Sequence, residues 1–332
     1  TSPTGTTRHV IGEILIQHGL QPGVDVDLCY CPERVLPGDT VGELERNSRV
    51  IGGFTVEAAD RAARMYATFC TGELRTTTDL VAEMCKLMEN SFRDVNIAIA
   101  NTFAQIGEEL GVDAWEAIRM ANLHPRVDIL QPGPGVGGHC IPVDPWFLIE
   151  SFPHKTQLLV DARRINDHQG RRLLDRLQSA AGLQTGDTVA LLGVAYKADI
   201  DDPRDSPTFL VAEECRNRGI KVRLHDPLVV AGEYNGFTVE NDLNVALDGA
   251  DAAMLLTDHT AYHGLDPEPL LRQMRGQWIA DGRCVLDRER YIDAGFRVLT
   301  LGIGLAEKWT EPVPVINSHA ESDLVEALAG TH

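Results

Sequence analysis

Cys140 lies in Pro132-Gly-Pro-Gly-Val-Gly-Gly-His-Cys140-Ile-Pro-Val-Asp144-Pro, whose four glycines and four prolines in fourteen residues rule out regular structure. Such a backbone can approach a ligand closely, and Cys140 with Asp144 beside it suits a nucleophile with an ionisable neighbour. The same residues also suit a plain structural turn whose cysteine fills space. A second group, Glu83, Lys86, Asn90 and Arg93, recurs at spacings of three, four and three, which places the four on one face of a helix. That stripe is either a solvated face or a set of donors and charges aimed at a site. In a third group, Gly193-Val-Ala-Tyr196-Lys197 leaves a strand end and Asp201-Asp-Pro-Arg204-Asp-Ser-Pro follows it. A phosphate site built from Lys197, Arg204 and the next helix N terminus is one reading, and an ordinary charged loop is the other.

The elements that must hold these residues follow from periodicity and punctuation. The first part reads as a helix near 6 to 18, short strands at Val26 to Cys31 and Arg49 to Gly53, and a helix from Val56 to Phe69. Asp79 to Leu110 is apolar-periodic without proline and closes on Gly111, which predicts a helix of about 48 Å. A shorter helix, Asp113 to Ala121, leads into the Gly/Pro loop of Gln131 to Pro145, and helix returns from Lys155 to Ala180. Thr188 to Gly193 reads as a buried strand, Ser206-Pro207 as the cap and first residue of a helix, and Lys221 to His225 as the next strand. Further strands are expected at Ala252 to Leu256, Trp278 to Ala280 and Arg297 to Leu301, in a parallel sheet. The expected class is α/β in three parts: an incomplete Rossmann-like domain (1–75), a central helical part around the long helix (76–182) and a second Rossmann-like domain (183–332).

The balance of 49 acidic against 30 basic residues, a net charge of −19, disfavours nucleic acid and anionic membranes as partners. No apolar run is long enough to span a bilayer. Seven cysteines without C-x-x-C spacing argue against a disulfide framework and against a zinc knuckle, and a reducing cytoplasm is the expected home, with no metal. Only five of the basic residues are lysines, so Lys86 and Lys197 at defined motif positions carry more meaning than they would elsewhere. The chain opens Thr1-Ser-Pro without a signal sequence, and no G-x-G-x-x-G follows any strand, so it reads as a fragment lacking the opening of a dinucleotide fold.

Four motifs in order carry a resemblance: Cys31-Pro-Glu33-Arg34-Val35-Leu-Pro37-Gly38, Glu83-x-x-Lys86-x-x-x-Asn90, Pro-Gly-x-Gly-x-Gly-Gly-His139-Cys140 and Gly193-x-x-Tyr196-Lys197. Together they resemble the UDP-glucose/GDP-mannose dehydrogenase family over nearly the whole chain, and Thr1-Ser-Pro-Thr-Gly5 is similar to a segment normally inside the family's first domain. Asn122-Leu-His124-Pro-Arg126, with Pro37 in place of a second glutamate, resembles the branch that acts on UDP-N-acetyl-D-mannosamine. The resemblance implies NAD as cofactor, a UDP-sugar substrate and two successive oxidations of its C6 alcohol through a thiohemiacetal and a thioester on Cys140. It implies Lys86 and Asn90 beside the developing oxyanions, and Asp144 and Glu33 as the base and water-orienting carboxylates, with their division left open. Substrate contacts are implied for Arg34, Val35, Arg93, His124, Arg126, Gly137, Tyr196 and Lys197, and cofactor contacts for Thr1 and Arg204. Arg126 is implied to serve the partner's site in a homodimer built around the long helix. UDP-N-acetylglucosamine or UDP-glucose as substrate, and a remnant that binds UDP-sugar without oxidising it, are the alternatives.

Overall fold

The computed structural model describes residues 1–35 and 39–304. The chain begins with a π-helical turn, Thr6–Ile11, that runs into α1 (Gly12–Gln17). Next come β1 (Cys29–Tyr30), α2 (Thr40–Arg46), β2 (Arg49–Gly53), α3 (Val56–Tyr66) and β3 (Leu74–Thr78). The three strands form one sheet in the order β1-β2-β3, with β1 antiparallel to β2 and β2 parallel to β3 from Arg49↔Leu74 to Gly53↔Thr78. Only Cys29 and Tyr30 of the expected Val26 to Cys31 strand pair in it, because Pro22 and Val26 form an isolated bridge and Pro32 removes a donor just beyond. β3 was not foreseen: Leu74-Arg-Thr-Thr-Thr78 is half-exposed and polar, and pairing with β2 rather than a buried pattern makes it a strand. It also runs past the 75/76 division expected from sequence.

α4 (Asp79–Leu110) follows directly, its start capped by Thr78 Oγ1 accepting from Val81 N and its end by Gly111 at φ 70°. α5 (Ala114–Ala121) starts on Asp113, whose carboxylate accepts from the N–H groups of Trp115 and Glu116. α6 (Asp144–Ser151), with Pro145 in its first turn, precedes α7 (Gln157–Ala181). The Lys155 to Ala180 helix is thus found, but α6 interrupts what was expected to be loop and chain up to residue 155. The face that α4 buries is small and polar, with Ala82, Glu83, Asn90, Asp94, Ala98, Asn101 and Ala104 in it, whereas Met84, Met88, Phe92, Ile99, Phe103 and Ile106 are exposed in this chain. Small side chains let α7 approach α4 closely, and a hydrogen-bonded core fills the seam: Asp94 Oδ1 accepts from Arg163 Nη1 (2.5 Å) and Asn166 Nδ2 (2.9 Å), and Asn101 Nδ2 donates to Asn166 Oδ1 (3.0 Å).

β4 (Thr188–Leu192), α8 (Pro207–Asn217), β5 (Lys221–His225), β6 (Gly232–Tyr234), β7 (Phe237–Glu240), α9 (Leu243–Leu247), β8 (Ala252–Leu255), α10 (Pro267–Gln273), β9 (Trp278–Asp281), α11 (Arg288–Asp293) and β10 (Arg297–Thr300) complete the described chain. The seven strands order as β10-β9-β8-β4-β5-β7-β6 and are parallel except for β6, which pairs antiparallel with β7. That hairpin corrects the all-parallel expectation, and its turn is Asn235-Gly236 with φ of 52° and 76°, the left-handed pair a two-residue hairpin requires. Along β4, Val189 and Leu191 face a core shared with Leu173 and Leu177 of α7 and Phe209 of α8, while Ala190 and Leu192 face one with Tyr262, Leu270 and Tyr291. Burial on both faces explains why the strand reads as an unbroken apolar run, and removing Leu191 to alanine would cost about 2–5 kcal/mol. α7 packs on both α4 and this sheet, so it ties the central part to the last one. Trp115 Nε1 donating to Leu301 O (2.6 Å) adds a second tie.

Candidate active site

Cys140 sits where the Gly/Pro loop turns into α6. Its carbonyl accepts from Val143 N (3.1 Å) and Asp144 N (2.8 Å), so the first helical turn is built on the cysteine, whose side chain is left exposed. Asp144 is buried and its Oδ2 accepts from Asn90 Nδ2 on α4. Lys86, one turn earlier on α4, is half-buried and carries no ion pair or side-chain hydrogen bond among the described residues. The loop is fixed at its start by Gly133 N donating to Asn101 Oδ1 (2.9 Å). At its end Gly137 and Gly138 press on Tyr196, where an added Cβ would lie 2.8 and 2.9 Å from that side chain, so only glycine fits. Cys140 is therefore carried by the central part of the chain but seated against the β4–α8 loop of the last part.

The segment after β1 approaches the same region of α4. Arg34 forks onto Glu89, the residue before Asn90, with its Nε 3.1 Å from Glu89 Oε2. Glu33 Oε1 accepts from the N–H groups of Arg34 (2.7 Å) and Val35 (3.0 Å), and Oε2 faces Arg49 at 3.4 Å. Pro37 and Gly38 fall outside the described residues. Tyr30 stands near Asp144 and Glu83, and burial, opposed by a bond with Ser2, raises its phenol above the ordinary value. The buried Glu83 accepts from Gly5 N (2.5 Å), Thr7 N (2.7 Å) and Thr7 Oγ1 (2.7 Å), which anchors the segment holding the exposed Thr1 beside the Lys86 turn. The stripe read from sequence is therefore split by environment: Glu83 and Asn90 are buried and bonded, Lys86 is half-buried, and Arg93 is exposed.

On the far side of the loop, Tyr196 and an exposed Lys197 leave β4. Arg204 is bonded to Asp202 through Nε–Oδ1 (2.8 Å) and Nη2–Oδ2 (2.7 Å), and these bonds pull the Asp202 carboxyl down to about 2. His139 Nε2 lies 3.4 Å from the same carboxylate. Ser206, Pro207 and Thr208 are buried and Gly135 and Gly137 lie directly on Pro207, so the α8 N terminus that one of the two sequence readings gave to a phosphate is covered. Arg93 lines a separate cavity of 470 Å³ with Arg119, Trp115, Gln131 and Pro132. His124 and Arg126 are exposed beyond α5, bonded to each other through Arg126 N and His124 Nδ1 (3.3 Å), and among the described residues neither has a side-chain bond to the Cys140 loop.

Sequence reasoning missed Tyr30, Arg283 and the Asp226–His259 pair. Arg283 Nε donates to Leu256 O (3.0 Å) and its Nη1 lies 2.4 Å from where a Gly133 Cβ would be, so its guanidinium runs under the start of the Cys140 loop. Its position after β9, at the carboxyl edge of the parallel sheet, was a usable signal. Tyr30 gave none, since a lone tyrosine on a two-residue strand has no motif. Among the described residues no group of acidic, histidine or cysteine side chains is arranged to hold a metal, and no helix is long and apolar enough to cross a membrane.

Residues 1–70 match the NAD binding domain of the UDP-glucose/GDP-mannose dehydrogenase family, 80–168 its central domain and 190–288 its UDP binding domain. UDP-N-acetyl-D-mannosamine dehydrogenase of Methanocaldococcus jannaschii is 40% identical over 307 residues, covering 92% of this chain and 69% of that protein. NDP-N-acetyl-D-galactosaminuronic acid dehydrogenase of Ralstonia solanacearum is 40% identical over 294 residues, 84% of this chain and 69% of that protein. The solved UDP-D-ManNAc dehydrogenase of Pyrococcus horikoshii superposes with a TM-score of 0.83 at 39% identity, over 90% of this chain and 70% of that one. With an exposed cysteine seated between a Lys/Asn-bearing helix and the edge of a parallel sheet, and with all three domain models matched in order, the chain belongs to the UDP-glucose/GDP-mannose dehydrogenase family of NAD-dependent enzymes.

Proposed function

We propose that this protein oxidises the C6 alcohol of UDP-N-acetyl-D-mannosamine to the carboxylate, with Cys140 as the nucleophile. The observation that carries the reading is the junction of α4 and α6, where Cys140, Asp144 and Asn90 are linked by hydrogen bonds one helical turn from Lys86, which has no partner among the described residues. NAD, when bound, takes up the hydride lost from C6 in each of the two oxidations. Cys140 Sγ adds to the C6 aldehyde, forming a C–S bond and a thiohemiacetal, so the aldehyde is never released. Lys86 and Asn90 face the oxygen that gains charge at each addition, and Lys86 moves its proton. Water then adds to the thioester carbon, aligned by Asp144 or Glu33, and the C–S bond breaks to return the Cys140 thiolate and the acid.

Lys197, Arg34, Arg93 and Arg126 are the positive groups assigned to the anionic UDP-sugar, Arg93 from the wall of its own cavity, in a protein whose net charge is −19, so the local field must oppose the global one. Arg34 and Arg204 are held by Glu89 and Asp202, and each must exchange that carboxylate for its ligand. For NAD, the exposed Thr1 and Arg204 suit contacts at the cofactor's edge; the G-x-G-x-x-G string at Gly133 to Gly138 lies in the Cys140 loop and follows no strand, so it is not the strand-to-helix turn that cradles a pyrophosphate. We further propose a homodimer along α4 that brings the partner subunit's copy of residue 126 to this site. Its basis is the exposure of His124 and Arg126 together with the apolar face of α4.

The Ralstonia relative, at the same 40% identity, favours a second substrate, an NDP-N-acetylhexosamine of galacto configuration. Specificity constants for UDP-N-acetylmannosamine, UDP-N-acetylgalactosamine, UDP-N-acetylglucosamine and UDP-glucose decide between them. A preference for UDP-glucose would overturn the branch assignment. Separate calorimetric titrations with UDP and with NAD read the two nucleotide sites independently.

A further inference from the structure

Gly193 to Asp199 carries Tyr196 and Lys197 without a helix or strand to hold it. Its backbone is tied instead to a buried carboxylate and imidazole from the ends of two other strands. Asp226, just past β5, accepts at Oδ2 from Val194 N (2.7 Å) and Ala195 N (2.8 Å), and at Oδ1 from Leu228 N and Val229 N (both 2.9 Å). His259, past β8, is fully buried with Nε2 3.1 Å from Asp226 Oδ2, and its Nδ1 is 3.1 Å from Asp199 N. A backbone N–H only donates, so Nδ1 is the acceptor and Nε2 carries the hydrogen toward Asp226. Asp199 itself is left-handed at φ 57°, and its carboxylate accepts from Thr260 N (2.8 Å) and Thr260 Oγ1 (2.6 Å). Thr257 Oγ1 closes the ring by donating to Ala195 O (2.7 Å).

Residues on both sides of Lys197 are thus pinned, while its ammonium is exposed and has no partner among the described residues. A buried charged group contributes less to stability than an apolar side chain of the same shape would, so packing alone does not account for this pair. Its bonds go to the Lys197 loop and to the turn after β5. We infer that Asp226 and His259 are positioning residues that set Lys197 for the phosphate of a nucleoside diphosphate, with His259 held as the neutral Nε2–H tautomer. The inference rests on the proposed reading that Lys197 meets the UDP phosphate.

The test is calorimetric titration of UDP into the full chain and its variants. Lys197→Ala and His259→Phe should each weaken UDP binding by about 10- to 100-fold, the scale of one charge-assisted contact. The double variant should bind no more weakly than Lys197→Ala alone, within about threefold, because two groups acting through one contact are not additive. His259→Gln, which restores a donor toward Asp226, should recover part of the loss. Unchanged binding in Lys197→Ala refutes the phosphate role of Lys197 and this inference with it. Lost binding in Lys197→Ala but full binding in His259→Phe, or losses that multiply in the double variant, overturns the positioning role alone. Should His259→Phe fail to fold, Asp199→Ala, on the solvent side of the ring, carries the same cycle: a loss that vanishes in the Lys197→Ala background supports the role, and a loss that persists there overturns it.

Discussion

Cys140 combines two properties that a trapping nucleophile needs, an exposed side chain and a backbone fixed on both sides by the Asp144 turn and by Tyr196. Cys140→Ser should lower acid formation by about three orders of magnitude or more, the scale of losing a nucleophile, measured as NADH produced under saturating substrate. Near wild-type turnover would sink the thioester route. Lys86→Ala should lower kcat by about 10²–10³-fold with little change in KM, because an oxyanion contact strengthens in the transition state. A rise confined to KM would make Lys86 a binding residue. Asp226 has a consequence for stability. Burial alone would raise its carboxyl, but the bonds from His259 and from the N–H groups of Val229, Ala195 and Leu228 outweigh it and hold it well below the usual carboxylate range. A depressed folded pKa stabilises above the unfolded value and is lost as pH falls, so its contribution should be complete at neutral pH and fade below about pH 4. Asp226→Asn should accordingly lower stability by about 3 kcal/mol at pH 7 in denaturant titrations, with the gap to wild type narrowing toward pH 3. A gap that stayed constant with pH would show that the carboxylate's charge plays no part.

At the scale of elements, α4 is inverted relative to an ordinary surface helix: it turns alanines and hydrogen-bonded polar groups inward and leaves Met88 56% and Phe92 67% exposed. Ile99 and Phe103 continue that face and line an apolar groove of 290 Å³ with Leu158 and Ile165 of α7. A second copy of the chain suits such a face, with ridges at three- and four-residue spacing to pack against each other. Met88→Glu with Phe92→Glu should convert a dimer to monomer in sedimentation velocity while leaving the helical circular dichroism unchanged, since neither side chain is part of this chain's own core. Persistence of the dimer would place the interface elsewhere. The long helix was legible in the sequence to its terminal residues, because an uninterrupted period and a closing glycine mark both ends. Which of its faces is inside was not, because the large apolar residues that normally mark the core here mark the outside. The β6–β7 hairpin was announced by Asn235-Gly236 but is only three and four residues long, too short for periodicity to register.

For the molecule as a whole, the proposed site draws on all three parts of the chain: Glu33 and Arg34 from the first, Lys86, Asn90, Cys140 and Asp144 from the centre, and Tyr196 and Lys197 from the last. A mixed dimer carrying Arg126→Ala in one subunit and Cys140→Ser in the other separates own-site from cross-subunit service. If Arg126 reaches across, the site with intact Cys140 belongs to the Arg126→Ala subunit and receives the neighbour's normal arginine. That mixed dimer should then retain about half of wild-type activity, whereas an Arg126 that serves its own site would leave it nearly inactive.

Read alone, the 332 residues determined the α/β class, the long helix, five of the seven strands described in the last domain and the family, because each rests on local periodicity, capping chemistry or motif order. They also placed Lys86 and Asn90 on one helical face and Cys140 in a loop without regular structure. Only the tertiary structure decided that Asn90 meets Asp144, that Arg34 and Arg204 are engaged by Glu89 and Asp202, that the α8 N terminus is covered by Gly135 and Gly137, and that Asp226 and His259 grip the Lys197 loop. Apart from the local Arg204–Asp202 pair, those relations join residues tens of positions apart through packing of α4, α6, α7 and the seven-stranded sheet, and no local spacing encodes which buried donor finds which acceptor.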